Sequence, residues 1–248
     1  MTTYKSYNQA LFPYAYGLGL SNNATTPDTE LDVAVGSILD STKTFQLNLD
    51  TAVTIDATVN GLNGLDTGSL AASTLYNVFL IADPQSYNVT GAMISTASIP
   101  LMPYGYSAYA LIGYVATDAS SHFLKGYWTD DKSSWRTFVY DAPQATAITA
   151  GAATSYTSVD LSALVPPTQN TPVFVQTVFT PAAAGDISYL QPYGATGDAV
   201  KVYGQVAAKV ITGQDLVMAR LDSSAATISY KVSAGAVAIN VSGYQFAI

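Results

Sequence analysis

The chain has 248 residues, 49% of them hydrophobic and only 10% charged, with a net charge of −8 from 17 acids against 9 bases. Cysteine is absent, which excludes disulfides and thiolate metal sites. Basic residues do not cluster, so nucleic acid is not an expected partner.

No apolar run approaches the roughly 20 residues that a membrane span needs, so no membrane span is expected. Met1–Tyr7 has neither the basic start nor the apolar core of a secretory signal, and folding in a cytoplasm is expected. Sparse charge with 18 tyrosines suits protein–protein contact, because Tyr brings large area at little rotamer cost. The tyrosine and threonine preference of β proteins accounts for the same composition, and both readings stand.

Residues 1–20 are aromatic, broken by Pro13 and without helical period. A docking arm reads this way, with Tyr4, Tyr7, Leu11, Phe12, Tyr14 and Tyr16 as its contacts; so does a first edge strand. Short strands are then expected at Leu31–Val35, Thr44–Asp50 and Thr54–Val59, followed by the turn dipeptides Asn60-Gly61 and Asn63-Gly64. The near-continuous apolar run Leu75–Ala82 predicts a strand buried on both faces. Further strands are expected at Ala108–Val115 and His122–Trp128, with Pro100, Pro103 and Gly105 breaking the chain before them.

The small, uncharged stretch Ala142–Thr154 marks a shift in composition, read as the opening of a second unit or as a linker. Asp160–Leu164 suits one capped helical turn, stopped by Pro166-Pro167. Strands are expected near 155–160, 172–180, 186–191, 199–211, 215–220, 227–233 and 236–247. Alternation is cleanest in Val237-Ala238-Ile239-Asn240-Val241-Ser242. About seven strands in each half, at intervals of about 8–12 residues, predict antiparallel sandwiches. The expected fold is all-β: an N-terminal arm (1–20) and two antiparallel β-sandwich-like domains, jelly-roll or immunoglobulin-like, at 21–132 and 133–248.

Little in the chain suggests catalysis. A Ser-His-Asp triad would have to use His122, the sole histidine, and no Gly-x-Ser-x-Gly elbow accompanies it. Asp28, Glu30 and Asp32 share one face if extended, and Asp130-Asp131 adjoin Trp128; either set suits a sugar site or, more simply, a solvated turn. Asn60, Asn63 and Asp66 have loop-ligand spacing for calcium but lack the Asp-x-Asp-x-Asp-Gly series, so turn formation is expected of them. No catalytic residue, metal or cofactor is expected. Tyr104, Tyr106 and Tyr109, with Trp128 and Trp135, are the candidate aromatics for a glycan or a subunit interface.

The runs Tyr16–Asn23, Thr26–Ala34, Asn60–Leu70, Pro103–Tyr106 and Thr117–Phe123 resemble a module of tailed-bacteriophage structural proteins. Leu161–Pro167 and Ile228–Gly235 are similar to the partner half of such proteins. The resemblance implies a non-enzymatic virion component, assembled in the host cytoplasm and frequently a homotrimer. It would be a capsid-surface decoration or head-fibre subunit docked on the major capsid or other virion proteins, or a tail- or collar-attached fibre that binds host-surface glycan. The missing repetitive shaft favours the short capsid-surface appendage.

Overall fold

The computed structural model describes residues 15–83, 85, 90–129, 135–141, 145–197 and 200–247, and among these the chain is all β. Before the expected boundary come β1 (Ala15–Gly17), β2 (Leu20–Asn22), β3 (Glu30–Val33), β4 (Gly36–Leu39), β5 (Gln46–Leu49) and β6 (Val53–Asn60). They are followed by β7 (Gly64–Leu65), β8 (Leu75–Ala82), β9 (Thr90–Ser95), β10 (Ala108–Ala116) and β11 (Gly126–Trp128). After it come β12 (Trp135–Tyr140), β13 (Ala145–Gly151), β14 (Thr157–Asp160), β15 (Thr171–Thr180) and β16 (Ile187–Pro192). The chain closes with β17 (Val200–Tyr203), β18 (Ile211–Asp222), β19 (Ala225–Val232) and β20 (Ala236–Ala247).

In the second half, β20 is the spine of one sheet. One edge takes β12 along Gly243–Ala247 and β13 along Val237–Val241, while the other takes β15, which pairs in turn with β18. The facing layer is β14–β19–β16–β17, and β18 joins the two because its last three residues turn into a hairpin with β19. Strict alternation supplies the inner faces: Val173, Val175 and Phe179 from β15 and Val237, Ile239 and Val241 from β20 are all buried. Ile228, Tyr230 and Val232 line the opposite wall, where the Tyr230 ring fills the space above Gly151. This is a β-sandwich.

The first half is built on β8, which lies between β9 and β10 and is buried continuously from Val78 to Ala82, as a strand covered on both faces should be. The two-residue β7 links β9 to the run β6–β3–β2–β11, and a separate sheet β1–β4–β5 sits beside β8–β10. The Asp160 carboxylate caps a single turn through Ser162 N–H (2.8 Å), as the sequence suggests.

The expected boundary at 132/133 lies outside the described residues. On either side of it β11 and β12 are hydrogen-bonded neighbours, and β12 continues onto β20. The small-residue stretch read as a linker or a second opening contains β13, a strand on the β20 edge.

A β-bulge explains how one strand serves both halves. Phe174 pairs with Gly243 but Val175 pairs with Val241, leaving Ser242 as the extra residue. The buried positions of β20 therefore switch from odd (Val237, Ile239, Val241) to even (Tyr244, Phe246). Gly243 is obligatory here, because a Cβ would lie 2.3 Å from the Phe138 carbonyl oxygen.

Beyond the bulge, Tyr244 and Phe246 enter an aromatic seam with Tyr114, Trp128, Phe138 and Tyr140, with ring centroids 4.6 to 6.3 Å apart. Such pairs add about 0.5–1.5 kcal/mol each beyond the area they bury. Burial holds the Tyr114 phenol up at about 12 and raises those of Tyr140 and Tyr244 further, so all three stay neutral.

Candidate functional site

The side chains expected to bind are distributed unevenly. Of the docking-arm candidates, Tyr4, Tyr7, Leu11, Phe12 and Tyr14 lie outside the described residues. Tyr16 sits on β1 opposite Ser37, 65% exposed. Its neighbour Ala15 is buried against β4, paired with Ile38.

The aromatic set does not form one platform. Trp128 is a correction: it is only 7% exposed, and its ring lies 4.6 Å from that of Phe138. Alternation on β11 turns Trp128 into the seam and leaves Tyr127 outward. Tyr109 is half-buried, edge-on to Phe79 at 5.8 Å, and Tyr106 packs on the same small cluster of Phe79, Ile81 and Met93. Burial, then the nearby Asp83 charge, raises the Tyr106 phenol above its ordinary value. Tyr104 projects fully into solvent at the turn that Tyr106 N–H closes onto the Pro103 carbonyl. Trp135, 48% exposed, lies elsewhere, on β12 opposite Ala247.

Two concavities are the sites worth weighing. The larger, about 610 Å³, is a groove bounded by Ile38, Leu39 and Asp40 of β4 and its turn, by Tyr109, Leu111 and Tyr114 of β10, and at one end by Ala247. Its volume is in the range of ligand and side-chain receptors. The sequence marks it only through Gly113, next to the register shift that separates Leu111 from Gly113 on β10. Asp40 shapes the rim: its carboxylate accepts from Thr44 N–H (2.8 Å), Phe45 N–H (2.9 Å) and the Thr42 hydroxyl (2.6 Å). Burial pushes the Asp40 carboxyl up, but these bonds outweigh it and hold it below the ordinary value.

The smaller, about 300 Å³, is a polar cleft that collects Asp28, Asp118, His122, Lys125 and Asp141. Lys125 pairs with Asp28 at 3.3 Å and His122 Nδ1 lies 3.8 Å from Asp118. Asp118 is engaged in its own loop, accepting from Ser120 N–H (2.7 Å) and His122 N–H (2.9 Å), and the His122 bond is the leading cause of its lowered pKa. Among the described residues no serine hydroxyl bonds His122, and no group of three metal-ligating side chains is present. Asp32 accepts from Asn23 and Thr54, well separated in role from Asp28. Asp130 and Asp131 lie outside the described residues.

Of the calcium-spaced residues, Asn60 ends β6, and Asn63 and Asp66 bond to other parts of the fold. Asn63 accepts from Ala92 N–H (2.9 Å) at a left-handed φ of 57°, and Asp66 accepts from the Ser95 hydroxyl (2.6 Å).

No protein family and no curated protein matches the chain. Among solved structures, the chain is similar to a carbohydrate binding module (CBM6cm-2) from Cellvibrio mixtus lichenase 5A in complex with cellotriose. The match covers 50% of this chain and 87% of that one, at 13% identity and a TM-score of 0.23. Likeness at that level carries no argument about function.

Proposed function

We propose that this chain is a non-enzymatic structural subunit of a virion, a capsid-surface decoration or head-fibre protein that self-associates and docks through its N-terminal region. The observation that carries the reading is exposed apolar surface near β1. Ala15 is anchored on Ile38 at the wall of the 610 Å³ groove. Tyr16 of β1, Val35 before β4 and Trp135 of β12 are 65%, 50% and 48% exposed. Leu18 N–H donates to the Val35 carbonyl and Arg136, the residue after Trp135, donates to the carbonyl of Gly17, so the end of β1 is bonded both to the residue before β4 and to β12. Exposed apolar surface suits burial in an assembly better than exposure on a monomer.

Immunogold labelling of purified particles, with the chain lacking residues 1–14 as comparison, tests the reading. Labelled particles with the full chain and unlabelled ones with the truncated, folded chain are expected. Absence of the full chain from particles overturns it.

A second reading, a glycan-binding module on a fibre, rests on Tyr104 at the exposed corner. A glycan array decides it: sugar binding lost on Tyr104→Ala supports recognition, and no binding removes it.

A further inference from the structure

We infer that the outward face of the sheet β12–β20–β15–β18 is a binding site for a neutral saccharide. The site lies on other strands than the Tyr104 corner, and it depends neither on that reading nor on the virion one.

Burial parity fixes which side chains face outward. Tyr140 of β12, Val175 of β15 and Val217 of β18 are buried, so their neighbours Val139, Phe174 and Leu216 project from the opposite surface. The ladder sets these three in one line: Val139 pairs with Gly243, Gly243 with Phe174, and Phe174 with Leu216. That line crosses four strands, about 14 Å at the usual strand spacing. Gly243 brings no side chain, so the line dips between Val139 and Phe174. A trough of about 430 Å³ lies here, large enough for a small ligand.

A row of amides runs beside the apolar line. Two residues along, Asn240, Gln176 and Gln214 are partners across β20, β15 and β18. Asn240 Nδ2 donates to Gln176 Oε1 at 3.3 Å, and the Gln214 amide has no partner among the described residues. Ser242, the extra residue of the bulge, also lines the trough, and its buried Oγ has no hydrogen-bond partner among the described residues. A buried hydroxyl without a partner is costly, and a bound group that reaches it removes that cost.

This chemistry selects the ligand class. A sugar ring has an apolar C–H face, which lies flat on an aromatic ring, and a rim of hydroxyls that amides both donate to and accept from. Phe174 supplies the ring, with amides on one flank of it. A wholly apolar partner would leave those amides dry and unpaired. Charge selects further: the trough is lined by Asp215 and by no cation, in a chain of net charge −8, so acidic sugars and phosphates are repelled.

The test applies the full chain to immobilised neutral oligosaccharides of glucose, galactose and N-acetylglucosamine, with sialylated ones alongside, and titrates the sugar that binds by calorimetry. Binding to a neutral oligosaccharide and to no sialylated one is expected. Phe174→Ala and Gln214→Ala are each expected to weaken it by about ten-fold or more, and Tyr104→Ala to leave it unchanged. Gln214 is exposed, so its variant keeps the test decisive if Phe174→Ala does not fold. Binding retained by the folded variants, binding lost on Tyr104→Ala, a preference for sialylated sugars, or no binding to any neutral sugar overturns the inference. So does a chain that binds no sugar and that Leu216→Glu converts from oligomer to monomer, which makes this face a protein interface. The virion reading is decided separately, by the particle labelling.

Discussion

Arg136 of β12 donates from Nη1 to the carbonyl of Leu18, 2.8 Å away and 118 residues earlier in the chain. The same guanidinium donates to Ile112 O at 2.9 Å and to Gly17 O, while the side chain is only 3% exposed. Gly17 and Leu18 are both left-handed (φ 64° and 60°), a conformation that presents two successive carbonyls to one donor. A cation buried in this way fixes the root of the N-terminal segment to both halves of the fold.

Replacing Arg136 with Met keeps most of the volume but leaves buried carbonyls without their donor. A hydrogen bond to a charged group contributes about 1.5–3 kcal/mol, offset by the desolvation that the charge no longer suffers. Net destabilisation of about 2–4 kcal/mol, read from the urea midpoint, is expected. An unchanged midpoint contradicts the clamp.

Gly243→Ala forces a Cβ to within 2.3 Å of Phe138 O, so the bulge must open and the seam shift. Thermal unfolding is expected to show a loss of about 2 kcal/mol or more. Gly197→Ala, where a Cβ meets nothing within 4 Å, is the matched control and is expected to stay within about 0.5 kcal/mol.

The two tryptophans separate the core from the surface. Trp128 is expected to emit blue-shifted light that resists iodide quenching, and Trp135 red-shifted, quenchable light. Trp135→Phe should therefore remove most of the quenchable fluorescence, and Trp128→Phe should retain it. The reverse pattern contradicts the placement of Trp128 in the seam.

Acid is expected to weaken the fold through Asp40 and Asp118. Both carboxyls sit below the ordinary value of 3.8 when folded, so their contribution is complete above that pH. It is lost as pH falls below 3.8 through the depressed values, because the folded state must then take up protons it binds less readily than the unfolded chain. Asp40→Asn should flatten the stability profile below pH 3.8, measured by urea unfolding at stepped pH; a profile unchanged from the parent contradicts the role of the Asp40 turn.

Much of the sheet architecture was legible because alternation is a local signal. The strands around Val173–Phe179 and Val237–Val241 show it directly, and Leu75–Ala82 is marked by its near-continuous apolar run instead. β13 was not legible, since Ala145–Gly151 is too small and uniform to show a face, and it becomes a strand by pairing with β20. The stretch 199–211, expected as one strand, is β17 followed by a loop that leads into β18. Trp128 was misplaced for a different reason: an aromatic beside a charged loop reads as surface, and only its parity on β11 turns it inward. The groove was barely marked because its walls come from β4, with Ile38, and β10, with Leu111 and Tyr114, two strands far apart in sequence. Arg136 gave no sign of being buried, because its acceptors are backbone carbonyls that any residue can supply.

Sedimentation equilibrium of the full chain beside the chain lacking residues 1–14 tests self-association most directly. The full chain is expected at a multiple of its 26.0 kDa mass, three-fold if the trimer implied by the resemblance forms, and the truncated chain as a folded monomer. A full-length chain that stays at 26.0 kDa across the concentration range contradicts the account.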